Sequence, residues 1–313
     1  MVEKFVSFNS EYLLKGTLTV PEESKEKFPG LLIISGSGQG DRDGNVKGIE
    51  INVYKELAEF FTSLGFVTLR YDKRGTHESE GDYHETGVWD LIDDATAAVR
   101  FLKEQPQVDP NNIVILGHSE GAIIAPAVHK KEEVNALILL AGFFGPSKEM
   151  LSVQNTMAQK EVEEAKGFKG FLFRILKVSD KLKKNQEEML SKVMSSDEPV
   201  IKYKGTKLNA KWMRESQEFN GLEQLNGVNI PVLAVTGDKD VQVPPTDVKN
   251  IEGVVKGDAE WHIVPNMNHL LRKYEQNHTI LGLMKEYKTL VGQPTDPDLI
   301  RILKNWVTKH IQK

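Results

Sequence analysis

One serine in the chain has the neighbours that nucleophilic chemistry requires. Ser119 is the centre of a Gly-His-Ser-Glu-Gly motif at residues 117–121, which follows the apolar run Ile113–Leu116 and precedes Ala122–Ala125. A sharp strand-to-helix turn strains the serine backbone, so the flanking positions must lack side chains. The hydroxyl is then exposed at a helix N-terminus, where backbone N–H groups favour developing negative charge. We predict a nucleophile here rather than a surface serine in a glycine-rich turn.

A serine hydroxyl needs a base, and in this type of site the histidine follows both the serine and the acid in the chain. Three of the eight histidines remain once those before the serine, on its helix or in the last helix are set aside: His262, His269 and His278. His262 lies in a predicted strand and is expected to be packed or solvent-facing. His269 follows that strand after a short loop, at the sheet edge where α/β sites assemble. His269 is therefore the predicted base, and His278, favoured as a surface histidine, is the second choice.

The acid that orients the base should follow the apolar run Val232–Val235. Two aspartates are available in the turn after it. Asp238 directly follows a glycine, whereas Asp240 lies further out and has the longer reach, so Asp240 is preferred. For either residue the simpler interpretation is an Asx-type turn cap.

Backbone donors for a developing oxyanion are expected at two places. One is the N–H of Glu120, directly after the nucleophile, and the other lies in the glycine-rich loop Ser35–Gly40, which follows the apolar run Leu31–Ile34. A phosphate-binding loop is the rival interpretation, but the loop lacks a Gly-Lys-Ser/Thr ending and the dinucleotide glycine spacing. Residues 41–45 superficially resemble a calcium loop, but Asn52 stands where the closing glutamate belongs. We therefore expect neither a cofactor nor a metal.

The elements that must position these residues alternate along the chain. Short, non-alternating apolar runs are typical of strands buried on both faces of a parallel sheet, and helical patterns separate them. Two shorter runs at the N-terminus predict a β-hairpin or a β-meander. The fold class is therefore α/β, with a doubly wound sheet. Residues 146–228 interrupt the alternation without strand runs, and they predict a helical insertion with helices over Val153–Ala165, Phe171–Met194 and Ala210–Phe219.

Composition restricts the class of protein further. The 313 residues include no cysteine, which excludes disulfides and thiolate chemistry. The net charge of −5 provides no basic excess for nucleic acid or an anionic membrane. The first residues alternate like a strand rather than forming a signal peptide, and no apolar run could span a bilayer. We expect a cytoplasmic protein that acts on a small molecule; its oligomeric state is not predicted.

Taken together, these residues make the sequence similar to the α/β-hydrolase superfamily, in particular to bacterial esterases and acyl-peptidase-like hydrolases of the serine aminopeptidase branch. The resemblance covers residues 1–145 and 229–313. It implies a mostly parallel eight-stranded sheet flanked by helices, with a cap after the sixth strand at residues 146–228. It also implies that Ser37 N–H is the second oxyanion donor. The segments that carry the resemblance are residues 35–43, residues 70–75, the serine motif, and residues 237–244 followed by His269.

The expected reaction is hydrolysis of carboxylic esters of small to medium acyl groups through an acyl-enzyme intermediate. Three alternatives stay open: a peptidase using the same residues, a thioesterase or acyltransferase, and a non-catalytic ligand-binding protein. We expect only a few of the large apolar side chains of the insertion to line the site and most of them to pack the insertion against the sheet domain. These side chains are Phe168, Phe171, Phe173, Trp212, Met213 and Phe219.

Overall fold

The structure, a computed structural model, describes residues 1–22, 27–165 and 178–312. Its strands are β1 (Val2–Asn9), β2 (Leu13–Val20), β3 (Phe28–Ile34), β4 (Val67–Tyr71), β5 (Val108–His118), β6 (Ala136–Leu140), β7 (Val200–Tyr203), β8 (Thr206–Asn209), β9 (Val232–Gly237) and β10 (Ala259–Val264). Eight of them form one sheet in the order β1-β2-β4-β3-β5-β6-β9-β10. The pairs β1–β2 and β2–β4 are antiparallel, and the other neighbours are parallel. The predicted α/β class with a mostly parallel sheet is confirmed.

Helices cover both faces of this sheet. The α-helices of the described residues are α1 (Val53–Ser63), α2 (Val88–Lys103), α3 (Glu120–Lys131), α4 (Ser147–Glu164), α5 (Val178–Met194), α6 (Ala210–Glu218), α7 (Gly221–Leu225), α8 (Leu283–Lys288) and α9 (Pro297–His310), of which α4 to α7 belong to the insertion. Leu31 and Ile33 of β3 pack in the same core as α1 and α9, whereas Leu32 and Ile34 pack with α2 and α3. Successive residues of a strand point to opposite faces, so burial on both sides explains the continuous apolar runs.

The insertion between β6 and β9 contains four helices in its described part, and also a β-hairpin that the sequence pattern did not predict. β7 and β8 pair antiparallel around Lys204 and Gly205, which both have positive φ, at 47° and 83°. Two positive φ values in a two-residue loop are the signature of a type I′ hairpin turn. Each strand is only four residues long. The expectation of a strand-free insertion is therefore wrong, because strands this short give no clear periodicity.

The insertion is tied to the core by hydrogen bonds to loops at the carboxyl edge of the sheet. Asn209 Nδ2 donates to the carbonyl oxygens of Tyr83 and Thr86, at 2.8 and 2.7 Å. On the other side, the N–H of Leu222 donates to the carbonyl of Phe144 at 2.6 Å. These bonds place α6 beside the start of α2 and hold α7 against the chain that leaves β6.

The predicted insertion helices are found near their expected positions. α4 begins at Ser147 rather than Val153, and α6 ends one residue before Phe219. α5 is described from Val178, so the predicted start at Phe171 lies outside the described residues, as do Phe168 and Phe173. Within the described ranges, no helix has the length and apolar character needed to cross a membrane.

The buried helix face of α1 gives a test of this packing. Phe61 is fully buried between α1 and the sheet, whereas Phe5 on the edge strand is 83% exposed. We expect Phe61→Ala to lower the free energy of unfolding by about 3–5 kcal/mol because it opens a cavity. Phe5→Ala removes the same ring and should change it by less than about 0.5 kcal/mol. Urea unfolding of both variants measures the difference, and equal effects would contradict the packing described.

Candidate active site

The serine motif forms the turn between β5 and α3. Ser119 has φ 54° and ψ −116°, a conformation that costs an L-residue on the order of 1–3 kcal/mol. Its N–H donates to the carbonyl of Leu140 at 2.8 Å, and its carbonyl accepts from Ala122 N–H at 3.0 Å. Hydrogen bonds on both sides thus hold the strained residue at the carboxyl end of β5.

The two glycines of the motif are required by close backbone contact, not by their own dihedral angles. A Cβ on Gly117 would overlap the backbone of Gly121, and a Cβ on Gly121 would overlap the carbonyl of Ile34 at the end of β3. The neighbours of the serine must therefore lack side chains because neighbouring backbone occupies the space that a Cβ would need. The same contact presses the start of α3 against the loop that follows β3.

His269 lies in the loop after β10, beside the serine. Its Nε2 is 3.1 Å from Ser119 Oγ, and its Nδ1–H donates to Asp240 Oδ2 at 2.7 Å. Both His269 and Asp240 are 5% exposed. The three residues come from loops after β5, β9 and β10, so the structure brings together at one edge of the sheet the side chains that the sequence order suggested.

The carboxylate of Asp240 is fixed by its own loop. Its Oδ1 accepts from the N–H groups of Gln242 and Val243, at 2.8 and 3.0 Å. Two backbone donors hold one oxygen, which leaves Oδ2 facing His269. The second candidate, Asp238, points elsewhere: its Oδ1 accepts from Asn266 N–H at 2.6 Å and fastens the β9 loop to the turn after β10.

The remaining histidine candidates lie away from the serine. His262 is partly exposed, and its Nε2 bonds Glu260 at 2.8 Å. His278 pairs with Glu286 and packs between Tyr274 and Tyr287, and its side chain is buried. The expectation that His278 is a surface histidine is wrong, because the two tyrosine rings and Glu286 of α8 cover its side chain.

Both proposed backbone donors border the serine. Glu120 is the first residue of α3, so its N–H has no partner within the helix. Ser37 follows Gly36 in the loop after β3, and a Cβ on Gly36 would contact the side chain of Ser119 at 3.1 Å. Ser37, Ser119 and Glu120 line the same cavity.

Three cavities surround Ser119 and the loop after β3. The apolar cavity has a volume of about 70 Å³ and is lined by Ser119, Glu120, Ile123, Trp212, Phe219 and Val243 among others. The histidine-side cavity, of about 290 Å³, is lined by Ser119, His269, Tyr54, Leu270 and Met284 among others. The polar cavity, also about 290 Å³, lies beyond Ser37 and is lined by Lys73, Tyr83, Glu120, Asn209 and Trp212 among others.

Sequence reasoning did not single out several polar residues that lie close to these cavities. Tyr54 sits among the apolar positions of α1, yet its hydroxyl bonds His118 Nδ1 at 2.8 Å. Lys73 belongs to the segment 70–75, which was noted only for its resemblance. Trp212 was treated as one of several apolar insertion residues, but its Nε1–H donates to Glu120 Oε1 at 2.6 Å. The polar atoms of Tyr54 and Trp212 within apolar patterns were the available signal, but they do not identify a bonding partner.

No group of three or more histidine, aspartate or glutamate side chains in the described part of the chain is arranged to hold a metal ion. The acids near the serine are already engaged: Asp240 with His269, and Glu120 with Trp212 and Lys73. The contacts of Ser119, His269 and Asp240 support the chemistry of a serine hydroxyl with a histidine base and an aspartate behind it.

A sheet of this topology, with a serine turn after β5 and a histidine after the last strand, defines an α/β hydrolase. The family model described as serine aminopeptidase, S33, matches residues 48–276, more than half of the chain. The chain therefore belongs to this family of hydrolases.

Individual relatives agree with this assignment. Esterase EstD of Thermotoga maritima is 27% identical over 288 residues, which span 91% of this chain and 63% of EstD. The chain thus spans less than two thirds of the length of that relative. Among solved structures, GrgF, an α/β hydrolase from Penicillium, superposes with a TM-score of 0.64 at 18% identity over the full length of both chains. Est1E from Butyrivibrio proteoclasticus with ferulic acid bound gives 0.60 at 19% identity, over 91% of this chain and 97% of that one. At these identities, the two structures support the fold alone.

The end of β9 gives a test of how the acid and histidine loops are held together. A Cβ on Gly237 would overlap the carbonyl of Met267, two residues before His269. We expect Gly237→Ala to lower the free energy of unfolding by about 1–3 kcal/mol or more, because the backbone must move.

The matched control is Gly40→Ala, where the nearest atom to the new Cβ is 3.3 Å away and φ is not positive. It should change stability by less than about 1 kcal/mol. Chemical denaturation of the two variants measures the contrast. If Gly237→Ala is as stable as the wild-type chain, the two loops are not packed as described.

Proposed function

We propose that the chain is a serine hydrolase that cleaves carboxylic esters of small to medium acyl groups through an acyl-enzyme intermediate. The observation that carries the proposal is the continuous contact from Ser119 Oγ to His269 Nε2, and from His269 Nδ1 to Asp240, at 3.1 and 2.7 Å. The family membership and the similarity to EstD support ester hydrolysis.

In the proposed mechanism, Ser119 Oγ attacks the ester carbonyl while His269 Nε2 takes its proton. Asp240 keeps the proton of the imidazole on Nδ1 and stabilises the imidazolium that forms. The N–H groups of Ser37 and Glu120 bind the oxyanion of the tetrahedral intermediate. His269 then gives its proton to the leaving alcohol, and a water molecule activated by the same histidine hydrolyses the acyl-enzyme.

The position of His269 supports a proposal for where the two sides of the substrate bind. Since His269 Nε2 must reach the leaving oxygen, the alcohol group belongs in the histidine-side cavity, which His269 lines. The acyl chain then enters the apolar cavity, which contains Ser119 but not His269. Residues 146–228 act as a cap in this proposal, since Trp212 and Phe219 of the insertion form part of that cavity.

The volume of the apolar cavity indicates the acyl length. A dry cavity of about 150 Å³ holds benzene, or about 25 Å³ for each carbon. The 70 Å³ available here therefore holds about three carbons beyond the carbonyl, which corresponds to acetyl through butyryl groups.

Substitutions of the three contacting residues test the mechanism. With p-nitrophenyl acetate and butyrate, Ser119→Ala, His269→Gln and Asp240→Asn should each lower kcat/KM by about 10⁴-fold or more. Asp238→Asn and His262→Gln make the same kinds of substitution at residues outside the site. The kcat/KM of these two variants should stay within about threefold of wild type. Turnover by Ser119→Ala equal to that of the wild-type chain would reject the proposal.

Assays of the wild-type chain on other substrates distinguish an esterase from the three alternative functions. Aminoacyl amides and acyl-CoA thioesters, assayed beside the esters, separate a peptidase and a thioesterase or acyltransferase from an esterase. A wild-type chain that reacts with none of these substrates and is not labelled by a fluorophosphonate would instead be a binding protein.

Enlarging the apolar cavity should change the preferred acyl length. On a series of p-nitrophenyl esters, we expect wild-type kcat/KM to peak between acetyl and butyryl. Phe219→Ala should move the peak to longer chains by about three to five carbons, because the cavity gains the volume of a phenyl ring. Met284→Ala, in the histidine-side cavity, should leave the acyl optimum in place. An unchanged optimum in Phe219→Ala would show that the acyl chain lies elsewhere.

A further inference from the structure

Two buried side chains hold the backbone of Gly36, the residue before Ser37. The N–H of Gly36 donates to the hydroxyl of Tyr54 at 2.8 Å. The carbonyl oxygen of Gly36 accepts from Lys73 Nζ at 2.6 Å. Both Tyr54 and Lys73 come from other elements, α1 and the loop after β4, and they are 6% and 5% exposed. The loop after β3 is therefore fixed from two directions.

The contact with Lys73 also fixes the direction of the next N–H. The carbonyl of Gly36 and the N–H of Ser37 belong to one peptide group, and no peptide bond in the described chain is cis. In a trans peptide the C=O and N–H bonds point in opposite directions. When Lys73 draws the carbonyl to its own side, Ser37 N–H must point to the other.

The cavities agree with this direction. Lys73 lines the polar cavity, which contains neither Ser119 nor His269. Ser37 lines that cavity and also the apolar cavity, which contains Ser119. The loop thus separates the ammonium group from the nucleophile, and the N–H opposite the ammonium group faces the side where the oxyanion would form.

We propose that Lys73 is a positioning residue that orients Ser37 N–H as an oxyanion donor. The inference rests on the proposed esterase function, to which it adds a residue that does not touch the reacting atoms. A single ammonium group suits this task, because it can donate to the carbonyl and to an acid at the same time.

The acid that pairs with Lys73 is Glu120, at 3.4 Å from Nζ. A buried ammonium group is costly without such a partner. Glu120 is also the residue whose N–H is the other oxyanion donor, and its second carboxylate oxygen accepts from Trp212. One set of contacts therefore joins both donor residues to the insertion.

The hydrogen bonds of Tyr54 continue to the histidine loop. Because the Tyr54 hydroxyl accepts from Gly36, its own proton is free to point to His118 Nδ1, at 2.8 Å. His118 Nε2–H then donates to the carbonyl of His269, also at 2.8 Å. Burial lowers the pKa of His118 to about 3, so the ring stays neutral at ordinary pH, as this bonding requires. The donor loop and the histidine loop are thereby connected.

The test is Lys73→Met, which keeps the length of the side chain and removes its donors. With p-nitrophenyl butyrate we expect kcat to fall about 10–100-fold, less than the loss of a whole oxyanion donor, while KM stays within about twofold. Affinity for an alkyl trifluoromethyl ketone, whose adduct with serine carries an oxyanion, should fall by the same factor as kcat/KM.

The chain offers a matched control at the far end of α2. Lys103 Nζ also donates to a glutamate, Glu132, and to a backbone carbonyl, that of Glu133, at 2.6 and 2.7 Å. Lys103→Met should leave kcat and ketone affinity within about twofold of wild type. Urea unfolding of both variants separates loss of stability from loss of orientation.

The outcomes are distinct. The inference is overturned if Lys73→Met keeps wild-type kcat and ketone affinity, or if Lys103→Met loses as much activity as Lys73→Met. In both cases the proposed function still stands, provided that ester hydrolysis depends on Ser119. An inactive wild-type chain, not labelled by a fluorophosphonate, overturns the function and the inference with it. If Lys73→Met does not fold, Lys73→Ala takes its place, because it also removes the donors but leaves no apolar side chain beside Glu120. A parallel fall in kcat and ketone affinity supports the inference, and wild-type values of both overturn it.

Discussion

The candidate site depends on the absence of a side chain at Gly121. Only a glycine lets the first turn of α3 contact the carbonyl of Ile34, and this contact brings the serine turn against the loop that follows β3. Ser119 and Ser37 are neighbours for that reason, although they lie on different strand ends. The strained backbone of Ser119 is tolerated because buried strands hold the turn on both sides. Moving α3 outward by the width of a methyl group would separate the serine from the loop.

The sequence could predict the features that rest on local patterns. Buried parallel strands give continuous apolar runs, so the sheet was predictable, and the chain order limited the choices for an acid and a histidine. The preference for Asp240 over Asp238 could also be predicted, because Asp240 lies further along the loop after β9. The hairpin β7–β8 was missed because four-residue strands have no measurable period, and the burial of His278 was missed because it depends on how neighbouring side chains pack over it.

The contacts of Tyr54 and Lys73 could not be predicted, since both are long-range in sequence. Tyr54 fits the apolar stripe of α1 as well as any aromatic residue, and only the fold reveals that its hydroxyl meets Gly36 and His118. The charged segment after β4 is similar. Arg70, Asp72, Lys73 and Arg74 are all buried, and each pairs with an oppositely charged group from another part of the chain: Asp43, Arg42, Glu120 and Asp94. A run of charges that a sequence pattern assigns to solvent instead forms the scaffold under the site.

In the proposed function, acyl selectivity would depend on the contacts of a single residue, Glu120. Its backbone starts α3 beside the nucleophile, while its side chain bonds Trp212 of the insertion and Lys73 of the core. Trp212 and Phe219 also form the wall of the apolar cavity. In the proposed function, a change in the position of α6 would therefore alter both the space for an acyl chain and the support of the two proposed oxyanion donors. Binding energy from a well-fitting acyl chain, which keeps α6 in place, would then act on the rate of the chemical step as well as on substrate affinity.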